Sequence, residues 1–141
     1  MKKFVDQMGR KIEIDLPATR VISLVPSITE FLIDLGVNVV GRTKFCIHPV
    51  NSVGDIPSVG GTKKFNFDAI AQLEPDLIIG NKEENYPEGI KQLEKSYPVW
   101  MSDINNLQDA ERMMTMLGHL FGEAERAQHF ISRIKMRLDG L

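Results

Sequence analysis

The spacing of apolar residues changes along this chain, and each change marks a predicted element. Phe4 to Ile14 places two short strand-like stretches around Met8-Gly9-Arg10-Lys11, which predicts a small hairpin. Val21-Ile22-Ser23-Leu24-Val25 is a β-branched apolar run of the kind that forms a strand buried on both faces. It stops at Pro26-Ser27. Ser27-Ile28-Thr29-Glu30 then has capping-box spacing, with Ser27 expected to accept from the Glu30 amide while Glu30 reaches back. The helix so begun runs through Phe31, Leu32 and Leu35 and is expected to end at Gly36, a residue at ease in the left-handed conformation.

Strand and helix patterns then alternate. Val39-Val40-Gly41-Arg42-Thr43 predicts a second strand, followed by a long irregular stretch from Lys44 to Lys64. Asn66 is expected to cap a short helix from Phe67 to Leu73, closed by Pro75. Leu77-Ile78-Ile79-Gly80 predicts a third strand, Pro87 to Lys95 a helix, and Val99-Trp100-Met101 a fourth strand ending at Ser102-Asp103. The expected fold is α/β: a Rossmann-like lobe with a parallel sheet of about four strands in the order 2-1-3-4, an N-terminal hairpin and a long C-terminal connector helix. Leu107, Ala110, Met114, Leu117 and Phe121 recur at helical spacing up to Gly122, and the Met113, Met114, Met116 cluster reads as helix packing. A last helix carries Ala127, Phe130, Ile131, Ile134 and Leu138 on one face, with Glu123 and Glu125 at its start and Arg133, Lys135 and Arg137 near its end, as the helix dipole favours. The expected division is a lobe over 1–122 and a connector helix over 123–141, whose apolar strip is expected to be exposed and to promote self-association.

Composition narrows the function classes. The 141 residues, 43% hydrophobic and 26% charged, are enough for one globular domain. A net charge of −2 argues against a nucleic-acid binder. Cys46 is the single cysteine, so no internal disulfide can form. Met1 to Gln7 shows two lysines with no apolar segment behind them, which reads as no secretory signal.

In an open parallel sheet, ligands bind beyond the carboxyl ends of the strands, where the strand order reverses. Here those ends are Pro26-Ser27, Thr43 to His48, Asn81 to Asn85 and Asp103, with Gly60-Gly61-Thr62-Lys63-Lys64 on the same rim. Gly60-Gly61-Thr62 lacks both the phosphate-loop spacing and the dinucleotide fingerprint. Cys46 and His48 make half of a metal site, with no second Cys/His pair to complete it. There is no nucleophile elbow and no His-Glu-x-x-His, so the expectation is a protein that is not an enzyme. Ser27 and Glu30 are explained by the helix start, Lys82-Glu83-Glu84 equally well by a solvated charge run, and His48 by an exposed loop position.

Arg20-Val21-Ile22-Ser23-Leu24-Val25-Pro26-Ser27-Ile28-Thr29-Glu30, with Leu35-Gly36, Val40-Gly41, His48-Pro49, Val59-Gly60-Gly61 and Pro75-Asp76-Leu77-Ile78-Ile79, resembles the amino-terminal lobe of the helical-backbone substrate-binding proteins of ABC importers. The resemblance implies a periplasmic or extracytoplasmic protein with two lobes joined by one long helix. Its ligand would be cobalamin, haem or a ferric siderophore, held in the cleft without a covalent cofactor and delivered to an ABC permease. The nearest look is to cobalamin-binding members: Phe45 falls where they place a tyrosine near the corrin, and Thr62 and Asn81 where they carry pocket tryptophans. Phe45, Thr62 and Asn81 are the ligand-site residues so implied, and Asp68 the surface acid that meets permease arginines; Pro26, Ser27, His48, Lys82 and Glu84 join the expected ligand site by their place on the rim. Two other readings stand beside it: direct binding of a metal ion through His48 and rim carboxylates, and an intracellular enzyme or sensor built on the same lobe.

Overall fold

The computed structural model describes residues 2–44 and 54–139. Strands β1 (Lys2–Val5) and β2 (Lys11–Ile14) pair antiparallel, Lys2 opposite Ile14, and form the expected hairpin. The main sheet contains β3 (Val21–Ser23), β4 (Val39–Arg42), β7 (Leu77–Asn81) and β8 (Val99–Ser102), all parallel, in the order β4-β3-β7-β8. This is the expected 2-1-3-4 order. Helix α1 (Pro26–Asp34) links β3 to β4, α2 (Phe67–Leu73) precedes β7, and α3 (Pro87–Glu94) links β7 to β8. Between β4 and α2 lies a two-stranded ribbon, β5 (Gly60–Gly61) with β6 (Lys64–Phe65). Two helices follow the sheet, α4 (Leu107–Leu120) and α5 (Ala124–Asp139).

The continuous apolar runs are explained by a core on each side of the sheet. Successive strand residues point to opposite faces. Thus Val21, Val25, Leu77, Ile79 and Trp100 pack with α1, α4, α5 and the hairpin's Ile12 and Ile14. Ile22, Leu24, Ile78, Val99 and Met101 pack with Ile70 of α2, Ile90 and Leu93 of α3, and Phe65 of the ribbon. Met113 and Met114 are buried, in keeping with a packing role. Leu107 departs from its expected place: it is exposed in the first turn of α4, ahead of the part of the helix that meets the sheet.

Helix ends follow local chemistry, with one correction. Asn66 caps α2 by accepting from the Ala69 amide, and Glu74 closes the helix in the left-handed conformation ahead of Pro75. Gly36 is left-handed at φ +82°, with its amide on Ile33 O and that of Val37 on Leu32 O, a Schellman closure of α1. The Ser27/Glu30 capping box does not form. Val25 is the N-cap, without a side-chain cap, because Pro26 opens α1 with its preset φ and pushes Ser27 one position into the helix. The hydroxyl active at this end is that of Thr29, which donates in a buried cluster with Ser23 Oγ (2.8 Å) and Val25 O (3.0 Å).

The connector also differs from expectation. Ala127 and Ile131 of α5 are buried, Phe130 and Ile134 are half-buried, and Phe130 meets Phe31 edge-on at 5.1 Å. The helix lies along α1 and α4 rather than projecting, so its apolar face is covered by its own lobe. Two features hold it there. Gly118 of α4 sits so close to Ala127 that any side chain at 118 would collide with it, and Arg133 bridges to Asp34 at 2.9 Å. Met136 is the large apolar residue α5 leaves exposed among its described side chains.

Candidate ligand rim

The reversal of strand order falls between β3 and β7, and the loops at their carboxyl ends meet the ribbon turn there. The meeting point is Asn85, a buried residue. Its Oδ1 accepts from the Asn81 amide at 2.8 Å, and its Nδ2 donates to Leu24 O at 3.2 Å and to Thr62 O at 3.1 Å. Asn81, also buried, uses its side chain on its own loop: Oδ1 accepts from the amides of Glu83 and Glu84, and Nδ2 donates to Ser102 Oγ at 3.0 Å. That local bonding turns the chain sharply after β7. Among the described residues, no buried side-chain nitrogen or oxygen lacks a hydrogen-bond partner.

The other anticipated residues are distributed around this junction. Pro26 is half-buried and Ser27 exposed at the start of α1, Thr62 is half-buried in the ribbon turn, and Lys82 and Glu84 are exposed. Lys82 Nζ lies 3.9 Å from Asp103 Oδ2, and Lys63 Nζ donates to Glu83 O at 2.7 Å. Phe45, Cys46 and His48 lie outside the described residues. Asp68 stands exposed in the first turn of α2 and lines a groove of about 660 Å³ with Lys44, Gly60, Gly61, Lys64, Phe65, Asn66 and Phe67. It therefore flanks the ribbon on the side of α2, while Thr62 is tied to Asn85 on the side of the β7–α3 loop. Among the described residues, no group of three or more His, Cys, Asp or Glu side chains is placed to hold a metal ion, and no helix is long and apolar enough to cross a membrane.

Sequence reasoning placed Asn85 and Lys63 on the rim without giving either a role, and it passed over Tyr86. The signal available was the Asn81…Asn85-Tyr86-Pro87 spacing, in which short amides after a strand precede a proline-opened helix.

The titration of the Glu84 carboxyl is displaced. Desolvation raises its pKa above the ordinary value, and the charge of Lys63 opposes the rise. Replacing Lys63 with methionine should raise it further, as read by a side-chain NMR titration; an unchanged or lower value would contradict the proximity. The sign for stability follows. A carboxyl with a raised folded pKa favours the fold below its unfolded value, and that contribution is lost as pH climbs through the interval up to the folded value.

A sequence model of the periplasmic binding protein family matches residues 21–141, and the chain belongs to that family. No curated protein matches the sequence. Among solved structures, a periplasmic heme-binding protein from Pseudomonas aeruginosa is 28% identical with a TM-score of 0.79, over 86% of this chain and 45% of that one. The periplasmic vitamin B12-binding protein BtuF of Vibrio cholerae is 25% identical with a TM-score of 0.77, over 88% of this chain and 49% of that one. The siderophore-binding protein BauB, solved with two acinetobactin molecules and ferric iron, is 22% identical with a TM-score of 0.85, over 99% of this chain and 52% of its own, a likeness of fold. The chain spans about half the length of these proteins.

Proposed function

We propose that this chain is the ligand-binding lobe of a substrate-binding component of an ABC importer, located outside the cytoplasm. On this reading it captures a metal-containing small molecule, a cobalamin-like or ferric complex, and passes it to a permease. The family match over residues 21–141 carries the reading. The heme and B12 binding named for the two relatives at 28% and 25% identity supports the ligand class. The role is binding and not catalysis. Ser27, Thr62, Lys82 and Glu84 offer hydrogen bonds and both signs of charge around the switch point, suited to the polar periphery of such a ligand. Phe45 and His48 are assigned to its apolar face and its metal or edge. Helix α5 serves as the link to a second lobe that closes the cleft, and Asp68 as the acid that meets the permease.

The test is a titration of the 141-residue chain with cyanocobalamin, haemin and a ferric hydroxamate, followed by absorbance and by amide shifts. Binding should be weaker than about 1 µM, since a cleft with one side holds its ligand poorly, and the shifts should fall on residues 24–27, 61–64 and 81–85. Shifts confined to other surfaces, or none with any of the three, would overturn the ligand class.

A further inference from the structure

We infer that Asn85 is a positioning residue of the ligand rim, one side chain that sets the placement of the loops after β3 and β7 and of the ribbon turn; this rests on the binding reading above. Its three side-chain bonds reach three separate segments: Leu24 O beyond β3, Thr62 O in the turn, and Asn81 N at the end of β7. Serving one donor and two acceptors at once requires an acceptor and two donors on one short planar group, which is the primary amide. Aspartate at 85 would forfeit both donors, and an apolar residue would take the side-chain partner from three backbone groups, the bonds to two of which are buried.

The neighbouring residue repeats the attachment. Tyr86 Oη accepts from the Phe65 amide at 3.3 Å, and its ring lies against Phe65 with centroids 4.7 Å apart. Gly89 makes room for this, because a side chain there would overlap the Tyr86 ring. Lys63 adds its bond to Glu83 O. The ribbon is thus fastened at residues 62, 63 and 65 to the single stretch 83–86. The groups that project beside these attachments, Ser27, Lys63, Lys82 and Glu84, take their spacing from it. A residue present only to fill the core would need no amide and would not reach three loops.

The test compares Asn85→Ala and Asn85→Asp with Ile131→Ala, a substitution in the α4–α5 core remote from the rim. Thermal midpoint, amide exchange and cyanocobalamin affinity are measured on each, and rates are compared at equal distance below each midpoint. Exchange at Phe65, Glu83 and Glu84 should accelerate at least about tenfold in the Asn85 variants and not in Ile131→Ala. Affinity for cyanocobalamin should fall at least about fivefold in the Asn85 variants and stay within about twofold in the control. Equal acceleration in Ile131→Ala, or protection retained without the amide, would overturn the inference. Failure of the unsubstituted chain to bind cyanocobalamin, haemin and the ferric hydroxamate alike would instead overturn the functional reading, and the exchange pattern would still decide the role of Asn85. Should both Asn85 variants fail to fold, Tyr86→Phe removes only the hydroxyl and should release the Phe65 amide; retained protection there would count against the latch.

Discussion

Asp6→Ala is expected to destabilise the lobe by about 3–5 kcal/mol, measured by urea unfolding, because a buried carboxylate that serves several donors at once is lost. The Asp6 side chain is fully buried and accepts four bonds: from the amides of Met8 (3.0 Å) and Arg10 (2.9 Å), from Arg10 Nε (2.9 Å) and from the Met101 amide (3.1 Å). The first three shape the turn of the hairpin; the last fastens that turn to β8, an edge strand. Gln7 extends the attachment, its amide donating to Met101 O and its side chain bonding Asp103 N and Asp109 O. Burial works against the Arg10 charge but is outweighed by hydrogen bonds and charge from Asp6 and Glu94, so the Arg10 pKa is raised. Removing Asp6 would therefore strip a guanidinium of its main partner and bare the edge of the sheet. Asp6→Asn should cost less, because the amide oxygen can still accept the turn amides. A loss below about 1 kcal/mol for Asp6→Ala would show that the turn finds other partners.

The second large effect concerns transport. If Asp68 meets a permease as proposed above, Asp68→Arg should reduce uptake of the labelled ligand at least about tenfold in cells that depend on the importer, since reversing one charge of a docking pair turns attraction into repulsion. The local cost is small, about 0.3–1 kcal/mol for an acid lost from the first turn of α2. Affinity of the purified protein for the same ligand should stay within about twofold, because Asp68 lies on the α2 side of the ribbon and the proposed ligand contact Thr62 is tied to Asn85 on the side of the β7–α3 loop. Uptake equal to that of the unsubstituted protein would reduce Asp68 to a helix-dipole acid. An affinity loss matching the uptake loss would place the ligand itself in the 660 Å³ groove beside Asp68.

Much of the fold was legible in sequence because its signals are local. Apolar runs such as Val21–Val25 and Leu77–Ile79 announce strands with two covered faces, while Gly36, Asn66, Pro75 and Gly122 mark helix ends by their own stereochemistry. What escaped depends on partners distant in sequence. Asp6 reads as an ordinary turn acid until Met101, 95 residues away, is seen to donate to it. Asn85 reads only as the end of a rim loop until Leu24 and Thr62 are seen to accept from it. The four-residue ribbon of Gly60–Gly61 with Lys64–Phe65 is too short for a period to show. The capping box was misread for a different reason: Pro26 and Ser27 both suit a helix start, and the proline, whose φ is already set, opens it first. The rim, with His48 and Lys82 on it, was read from topology alone, whereas the roles given to Phe45, Thr62 and Asp68 rest on likeness to the family.

The close seating of Gly118 on Ala127 has a mechanical meaning. With only the Ala127 methyl between the two backbones, α5 has little cushion at its root on which to tilt, and the Arg133–Asp34 bridge ties it again farther along. Helix α1, to which it is pinned, is the helix whose first residues, Pro26 and Ser27, stand on the rim. A bulky residue at 118 would push α5 off α4 and so disturb the seat of the helix that also packs on α1 beneath the rim.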